Sequence, residues 1–229
     1  MTLNAQHYQI FDLPETGDDI LKSFDDLAFD EYIGNGNRWR RFSQYRLQHK
    51  DGAWDFERLP HRPYVTYSKF NPIAGSIRRH YQPIEIDLTD HIREACAQIP
   101  LPEDDIWQIN VHQYRVVANK EVQGVVVPEG VHQDGHEFVV ISVYNRVGIT
   151  GAELTLRAAE DKETPIFTAT LPAGQAIAFD DRALWHYVTD IVPVEEEGHR
   201  DITVVSFSRW SERWYGDDFE EDAIGEGRG

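Results

Sequence analysis

The sequence has a single cysteine and no long hydrophobic run. One cysteine excludes an intrachain disulfide, and the helical pattern around Cys96 predicts a small buried side chain and not a nucleophile. No segment approaches the roughly 18 consecutive apolar residues that a membrane-spanning helix needs. Residues 1–7 lack a basic region followed by an apolar core, so we expect no signal peptide. These absences favour a cytoplasmic protein without a membrane partner.

Positive charge is also scarce. The chain has 22 Lys and Arg against 40 Asp and Glu, which gives a formal net charge of −18. Such a field repels nucleic acids, so we expect no nucleic-acid partner unless a local basic patch overrides it. Arginines in residues 38–46 and 78–79 could form such a patch, and we interpret both clusters as solvated or facing a small-molecule substrate.

The 229 residues, of which 41% are hydrophobic, are enough for one sizeable core. From residue 106 onward, short alternating segments separated by turn residues predict an antiparallel sandwich or barrel. We place the strands near residues 106–117, 137–145, 152–158, 164–170, 175–180, 185–192 and 200–209.

The rest of the chain predicts elements that surround this β core. Helical patterns in residues 1–35 and 89–99 predict helices that brace one face of it. The acidic residues and glycines of 212–229 predict a solvated, partly disordered tail. We therefore expect a single domain over residues 1–211, with a helical N-terminal extension (1–35), a β core (106–210) and an acidic tail.

Two histidines and one carboxylate have the spacing of a metal site. His132 and Asp134 are two positions apart, so on an extended strand their side chains leave the same face. His186 lies on a later predicted strand. A set of two histidines and one carboxylate binds iron(II) on one face and leaves the opposite face open to other ligands. These three residues are the predicted metal ligands.

Other histidines are weaker candidates. His136 shares parity with His132 and Asp134, but Gly135 is expected to turn the chain, so we interpret His136 as a residue near the site or at the surface. His112 and His199 have no spacing argument, and we expect structural roles for both.

Arg200 follows His186 and begins an alternating, β-branched segment that predicts a strand. Its planar guanidinium suits a carboxylate held at two points. With this arginine the chain resembles the iron(II)/2-oxoglutarate-dependent dioxygenases, whose pattern is His-x-Asp, a distal His, and then an Arg. The resemblance implies a double-stranded β-helix (a cupin-like jelly roll) and the use of Fe(II), 2-oxoglutarate and O2. It also implies that Arg200 receives the distal carboxylate of 2-oxoglutarate, and that no catalytic side chain is needed beyond the metal ligands.

The resemblance narrows further to one branch of these enzymes. Residues 38–43, 71–79, 111–116, 127–135 and 145–151 are similar to the bacterial branch that hydroxylates free L-amino acids, typified by L-isoleucine 4-hydroxylase. On this resemblance alone, Arg40, Asn71 and Glu129 are possible substrate contacts, although Glu129 could equally be an exposed loop residue.

Four further residues are candidates for the site by strand parity. Tyr144 and Ser206 share inward parity with Asp134 and Arg200, so each could bind 2-oxoglutarate or simply fill the core. Gln113 and Arg115 share one face of a predicted strand. If that face is inward, Arg115 needs an anion, which could be 2-oxoglutarate, the substrate carboxylate or a structural Asp or Glu.

The implied reaction is hydroxylation of an unactivated C–H bond, with succinate and CO2 as co-products. The expected substrate is the side chain of a free aliphatic L-amino acid. One alternative is a dioxygenase that acts on a carrier-bound or natural-product intermediate. The other is a non-catalytic, cupin-like protein that binds a metal or small molecule. Arg200 argues against the latter, because a structural metal site needs no distant carboxylate anchor.

Overall fold

The computed structural model describes residues 3–33 and 36–226. Its helices are α1 (Asp18–Ser23), α2 (Thr89–Gln98) and α3 (Asp217–Glu226), with short 3-10 turns at Phe24–Asp26 and Trp210–Glu212. Its strands are β1 (Tyr8–Asp12), β2 (Ala28–Phe29), β3 (Arg38–Lys50), β4 (Ala53–Arg58), β5 (Ile106–Asn119), β6 (Phe138–Val147), β7 (Ile149–Gly151), β8 (Leu154–Ala158), β9 (Pro165–Ala169), β10 (Gln175–Asp180), β11 (Leu184–Val188), β12 (Ile191–Pro193) and β13 (Glu197–Arg209).

The strands form one large antiparallel sheet and two small ones. The eight-stranded sheet has the order β1-β10-β6-β13-β5-β3-β2, with β4 paired to β3. The small sheets have the orders β11-β8-β9 and β12-β7. This mainly antiparallel arrangement confirms the predicted jelly-roll fold. Each strand predicted after residue 106 is present, although the predicted segment 185–192 is divided between β11 and β12, and β7 lies outside the predicted segments.

Alternation along the central strands divides the interior into two cores. On β13, Val205 and Phe207 belong to the core beneath the helices, whereas Ile202 and Val204 belong to the core beneath the small sheets. Successive side chains of a strand point to opposite faces. Even-numbered residues of β13 therefore face the space between the sheets, and odd-numbered residues face the helices.

Helices α1 and α2 brace the odd-numbered face. Ile92, Ala95 and Cys96 of α2 are buried in the core on that side, together with Ile20 of α1. Burial raises the pKa of the Cys96 thiol, so the thiol stays protonated. The structure confirms the predictions of a bracing helix in this segment and of a buried cysteine.

The N-terminal segment is less helical than predicted. Residues 1–35 contain α1 and one 3-10 turn, but they also contain β1, which pairs with β10 at the edge of the large sheet. Tyr8 and Ile10 pack against one core and Phe11 is buried in the other, so tertiary burial on both faces selects a strand here. Residues 1, 2, 34 and 35 lie outside the described part of the chain.

The acidic tail prediction is wrong for residues 217–226, which form α3. Glu220 of this helix is buried and binds the guanidinium groups of Arg62 (2.6 Å) and Arg78 (3.0 Å). Asp217 and Asp218 lie in the first turn, where negative charge stabilises a helix. Distant arginines thus compensate the acidic charge that suggested disorder. Residues 227–229 lie outside the described chain.

The Glu220 contacts give a stability prediction. Glu220→Gln removes the charge that two arginines share, and both arginines are partly exposed and therefore partly screened by solvent. We expect the free energy of unfolding to fall by on the order of 1–2 kcal/mol in urea titrations. Glu221→Gln, an exposed neighbour with the same charge change, should alter it by less than about 0.5 kcal/mol. Equal effects of the two substitutions would contradict the anchoring role of Glu220.

Among the residues that the structure describes, none of the helices has the length and apolar character required to cross a membrane.

Candidate active site

A backbone bridge brings His132 and His186 side by side. The His132 N–H donates to the His186 carbonyl (3.0 Å), and the His186 N–H donates to the His132 carbonyl (2.9 Å). Their ring centroids are 4.2 Å apart. His186 lies on β11 as predicted. His132 and Asp134 lie in a loop and not on the predicted extended strand, and the backbone of this loop pairs with β11 at the isolated bridge between His132 and His186.

The side chains of His132, Asp134 and His186 converge on one point. Their ligand atoms all lie within 4.8 Å of one another. Asp134 Oδ1 is 3.2 Å from His132 Nε2, and Asp134 Oδ2 is 3.9 Å from His186 Nε2. His132 Nδ1 is 2.9 Å from the Gly130 carbonyl, a bond that requires a proton on Nδ1 and leaves Nε2 free to bind a metal. The three residues therefore fit a divalent cation with two imidazoles and one carboxylate.

The electrostatics of the metal-free triad also fit a cation. Burial lowers the pKa of His186 to about 3, so this imidazole is neutral, as a metal ligand must be. Burial also lowers the pKa of His132, but the hydrogen bond and charge of Asp134 outweigh it and raise the value to about 9. A proton thus holds His132 and Asp134 together, and a bound metal would take its place.

Asp181 fixes the loop that carries Asp134. Its carboxylate accepts the backbone N–H groups of Asp134 (3.0 Å), Gly135 (2.7 Å) and His136 (3.1 Å), and its Oδ1 lies 3.8 Å from His186 Nδ1. Asp181 is almost fully buried. Sequence reasoning missed this residue, because its partners are backbone groups of a distant loop. Its position shortly before the strand of His186 is the only local signal.

Asp181 gives a prediction about metal affinity. Asp181→Ala removes three hydrogen bonds that orient Asp134, and the loss of such outer partners typically weakens metal binding about 10- to 100-fold. Iron(II) titration under anaerobic conditions measures this change. Asp180→Ala is the matched control, since Asp180 accepts from the backbone N–H groups of Arg182 and Ala183 and not from the metal loop. An unchanged iron affinity in Asp181→Ala would contradict this role.

A cavity opens beside the triad, between the large sheet and β11. It is lined by the three metal-site residues and by five residues that the sequence singled out: Arg40, Asn71, Glu129, Arg200 and Ser206. Arg200 and Ser206 reach it because both are even-numbered residues of β13. Asn71 Nδ2 donates to Glu129 Oε1 (3.3 Å), so these two residues of separate loops meet at the cavity wall.

Arg200 is a buried cation without a partner. Its side chain is almost fully buried, and its Nε and Nη1 atoms have no hydrogen-bond acceptor. Burial lowers its pKa to about 10, and no described carboxylate forms an ion pair with it. An uncompensated buried charge is costly, so this side chain suits an anionic ligand that enters the cavity. The distal carboxylate of 2-oxoglutarate has the required charge and geometry.

Three predicted residues do not reach the cavity: Gln113 and Arg115 on β5, and Tyr144 on β6. Arg115 binds Asp201 through two hydrogen bonds of 2.6 and 2.8 Å, and it also contacts Asp25. Gln113 donates to Ser23 on the same outer face. Both are odd-numbered residues of β5, so they face the helices, and the structural carboxylate that the sequence left open is the partner of Arg115.

Tyr144 faces the helical core and not the cavity. Alternation along β6 is regular up to this residue, since Val140 and Tyr144 belong to the core beneath the helices and Val143 belongs to the other core. The Tyr144 hydroxyl lies 2.9 Å from His91 Nδ1. The prediction that Tyr144 faces inward is wrong, because it extended the parity of Asp134 to β6, and Asp134 lies in a loop where strand alternation does not hold.

The remaining histidines do not join the metal group. His136 and His112 both line the cavity, and His112 was missed because it has no motif. His136 Nδ1 is 2.8 Å from the Ser208 hydroxyl, and burial lowers its pKa to about 4. Burial lowers the pKa of His112 well below its usual value, so its ring is neutral. His199 lies outside the cavity, 3.7 Å from Asp201.

Two further arginines complete the cavity wall. Arg38 and Arg79, from the basic segments noted in the sequence, join Arg40 and Arg200 there. Against these four cations the lining has two carboxylates, Asp134 and Glu129. The cavity is thus a local positive region in a strongly acidic protein.

Comparison with known proteins agrees with this geometry. A family model described as 2OG-Fe dioxygenase matches residues 21–206. No curated protein matches the sequence. Among solved structures, a bsmA homolog from Methylobium petroleophilum PM1 is similar, with 21% identity over 89% of each chain and a TM-score of 0.70. IDO from Bacillus thuringiensis is also similar, with 17% identity over 90% of this chain and 95% of that one and a TM-score of 0.67.

A third structure, the Fe(II)/(alpha)ketoglutarate-dependent dioxygenase TqaL, shares the fold at 12% identity, with a TM-score of 0.58 over 93% of this chain and 86% of that one. The family match covers most of the sequence and includes all three metal-site residues and Arg200. The chain therefore belongs to the 2OG-Fe dioxygenase family, whose members use Fe(II), 2-oxoglutarate and O2.

Proposed function

We propose that this protein hydroxylates an unactivated C–H bond in the side chain of a free aliphatic L-amino acid and releases succinate and CO2. One observation carries the proposal. The metal triad and the unpartnered Arg200 line the same cavity, whose other walls combine apolar side chains with a few polar groups. Such a cavity suits a small, largely apolar ligand that is oriented by a few polar contacts.

The chain's own residues bind and orient the reactants. His132, Asp134 and His186 would hold iron on one face, and Arg200 with Ser206 would anchor 2-oxoglutarate. The iron, when bound, supplies the activation of oxygen that no side chain can provide. The buried walls exclude water from the reacting groups, and the rigid β-strands fix their positions. No described side chain is required as a general acid or base.

The cavity walls favour a small amino acid. Apolar side chains could contact its aliphatic chain: Ile33, Val126, Val127, Ile141, Val188, Ile202 and Val204. Glu129, which Asn71 holds at 3.3 Å, offers a carboxylate to an ammonium group. Arg40 is less available as an anion site, because it forms an ion pair with buried Asp30 (3.3 Å) and lies over the rings of Tyr81 and Tyr114. We therefore assign Arg40 to the cavity wall.

One feature favours a second candidate, a carrier-bound or otherwise longer substrate. A second recess adjoins the cavity and shares Glu129 and His132 with it. Its lining also contains Lys69, Phe70, Lys162 and Trp185. A tether or carrier could lie in this recess while the reactive end reaches the metal.

The two candidates differ in a direct assay. The iron-loaded protein is incubated with 2-oxoglutarate, O2 and each common L-amino acid, and the products are examined by mass spectrometry for the gain of one oxygen. We expect at least one aliphatic amino acid to be hydroxylated, with succinate formed in step. If no free amino acid gains oxygen while a carrier-bound one does, the second candidate replaces the first.

A further inference from the structure

A second buried cation in the cavity lacks an anionic partner. Arg79 is almost fully buried, and its Nε and Nη2 atoms have no hydrogen-bond acceptor. Among residues 3–33 and 36–226, no carboxylate forms an ion pair with it, although the Tyr81 hydroxyl interacts with the guanidinium. A buried guanidinium with two free donors implies a ligand with two acceptors, such as a carboxylate.

The other arginines of the cavity have fewer free donors or an assigned ligand. Arg38 has no described carboxylate partner, but its Nη2 donates to the carbonyls of Val126 (2.6 Å) and Val125 (3.4 Å), and Arg40 pairs with Asp30. Two guanidinium nitrogens without an acceptor occur only in Arg79 and Arg200 among the described arginines of the cavity lining. Because Arg200 is assigned to the distal carboxylate of 2-oxoglutarate, the substrate is the remaining molecule that could supply an anion to Arg79.

The structure holds Arg79 in place before any ligand binds. Its backbone and that of Tyr64 exchange two hydrogen bonds of 2.9 and 3.0 Å, and its guanidinium lies 4.4 Å from the centre of the Tyr64 ring. That ring packs against Phe42 (4.9 Å) and His112 (4.5 Å). A cation fixed in this way loses little conformational entropy when it binds an anion.

Arg79 and Arg200 reach the cavity at different positions along the large sheet. The Tyr64 ring beneath Arg79 packs against His112, which is opposite Val204 of β13. Arg200 lies four positions earlier on that strand, opposite Val116. The two arginines therefore occupy different parts of the cavity that the metal triad also lines.

We propose that Arg79 binds the carboxylate of the substrate, at a site separate from the 2-oxoglutarate anchor at Arg200. This inference rests on the proposed function only in requiring a small substrate with a carboxylate. For an amino acid, Arg79 would bind the carboxylate and Glu129 the ammonium group, so that the side chain remains free to reach the metal. Amides and amines derived from the same amino acid would then be poor ligands.

The test measures binding without turnover. Calorimetry under anaerobic conditions, with Fe(II) and 2-oxoglutarate present, compares the best L-amino acid substrate with its carboxamide. We expect wild-type protein to bind the acid roughly tenfold or more tightly than the amide. In Arg79→Gln the affinity for the acid should fall by a similar factor, so that the ratio of the affinities for acid and amide becomes about one. Arg79→Lys should recover part of the preference, since an ammonium group keeps the charge but lacks the planar pair of donors that a guanidinium offers to a carboxylate.

Controls separate this role from a structural one. Arg93→Gln removes an exposed arginine of α2 and should leave both affinities unchanged. Arg79→Gln also removes the contact with the Tyr64 ring, so a lower melting temperature of the ligand-free protein is expected under either role. A purely structural Arg79 would leave the preference for acid over amide at its wild-type value in the folded variant. The Kd for 2-oxoglutarate should stay the same in Arg79→Gln.

The possible outcomes distinguish this inference from the proposed function. If wild-type protein binds no amino acid but binds another small carboxylate in an Arg79-dependent manner, the substrate class is wrong and the role of Arg79 stands. The inference is overturned if Arg79→Gln keeps the preference for acid over amide. It is also overturned if the variant binds 2-oxoglutarate more weakly while its affinity for the substrate is unchanged. It is also overturned if wild-type protein binds no small carboxylate other than 2-oxoglutarate.

Discussion

His186→Ala is expected to lose iron binding and 2-oxoglutarate turnover together, and the same holds for His132→Ala and Asp134→Ala. Each substitution leaves two protein ligands in a group whose donor atoms lie within 4.8 Å. Loss of outer partners already weakens metal sites about 10- to 100-fold, so loss of a ligand should cost more than about a hundredfold. The bridge between His132 and His186 uses backbone atoms only, so the fold should persist. Iron content and succinate formation are the measurements.

His136→Gln is the matched control for the triad. His136 lines the same cavity and follows Asp134 by two positions, but its Nδ1 is engaged with Ser208. Glutamine retains a polar group at this position, so iron content should remain close to that of the wild type. If His136→Gln lost iron while His186→Ala retained it, the triad would be misassigned.

Arg200→Ala is expected to weaken 2-oxoglutarate binding strongly. A charge-assisted hydrogen bond to a buried carboxylate contributes about 1.5–3 kcal/mol, so the Kd should rise roughly tenfold or more. Arg200→Lys should recover only part of the affinity. Because the guanidinium has no ion-pair partner among the described residues, its removal should not destabilise the ligand-free chain. Wild-type protein should gain thermal stability from saturating 2-oxoglutarate, and the variant should gain much less.

Arg115→Ala provides the comparison for Arg200. The two arginines lie on neighbouring strands of the same sheet, but Arg115 faces outward and binds Asp201 and Asp25. Its loss should lower stability, because fully buried Asp201 would lose its main cation, while the Kd for 2-oxoglutarate stays unchanged. The opposite result, in which Arg115→Ala but not Arg200→Ala raises the Kd for 2-oxoglutarate, would refute the assignment of Arg200 as the anchor.

The metal site could be predicted from the sequence because its information is local. His132 and Asp134 are two positions apart, and His186 precedes Arg200 at a family-like distance. The side chains of the three residues converge although His132 and Asp134 lie in a loop and not in the predicted strand. The identity of the metal ligands could therefore be predicted from their spacing in the sequence without a correct assignment of the local secondary structure.

Face assignments failed where both faces of a strand are buried. On β5, Ile109 and Val111 contribute to the helical core, whereas Val116 and Ala118 contribute to the other core. Alternation then divides the residues into two sets without indicating which set faces the cavity. The sequence left the face of Arg115 open for this reason. The error at Tyr144 has a different cause, because its face was inferred from the parity of Asp134, which lies in a loop before β6.

Residues defined by distant partners could not be found in the sequence either. Asp181 matters because it accepts hydrogen bonds from the metal loop, and Glu220 because Arg62 and Arg78 surround it. The sequence indicates only that Arg79 belongs to a basic segment that is solvated or faces the substrate, whereas the structure buries it. In each case the role of the residue depends on its contacts with groups that are distant in sequence, or on the lack of an acceptor there.

The most direct test of the account is the stoichiometry of the reaction under 18O2. Iron-loaded protein, 2-oxoglutarate and the amino acid identified in the panel should yield succinate and hydroxylated product in a ratio of about one, with one labelled oxygen atom in each, as expected of a dioxygenase that uses iron. Succinate formed without a labelled hydroxylated product, or a product labelled in the absence of 2-oxoglutarate, would contradict the account.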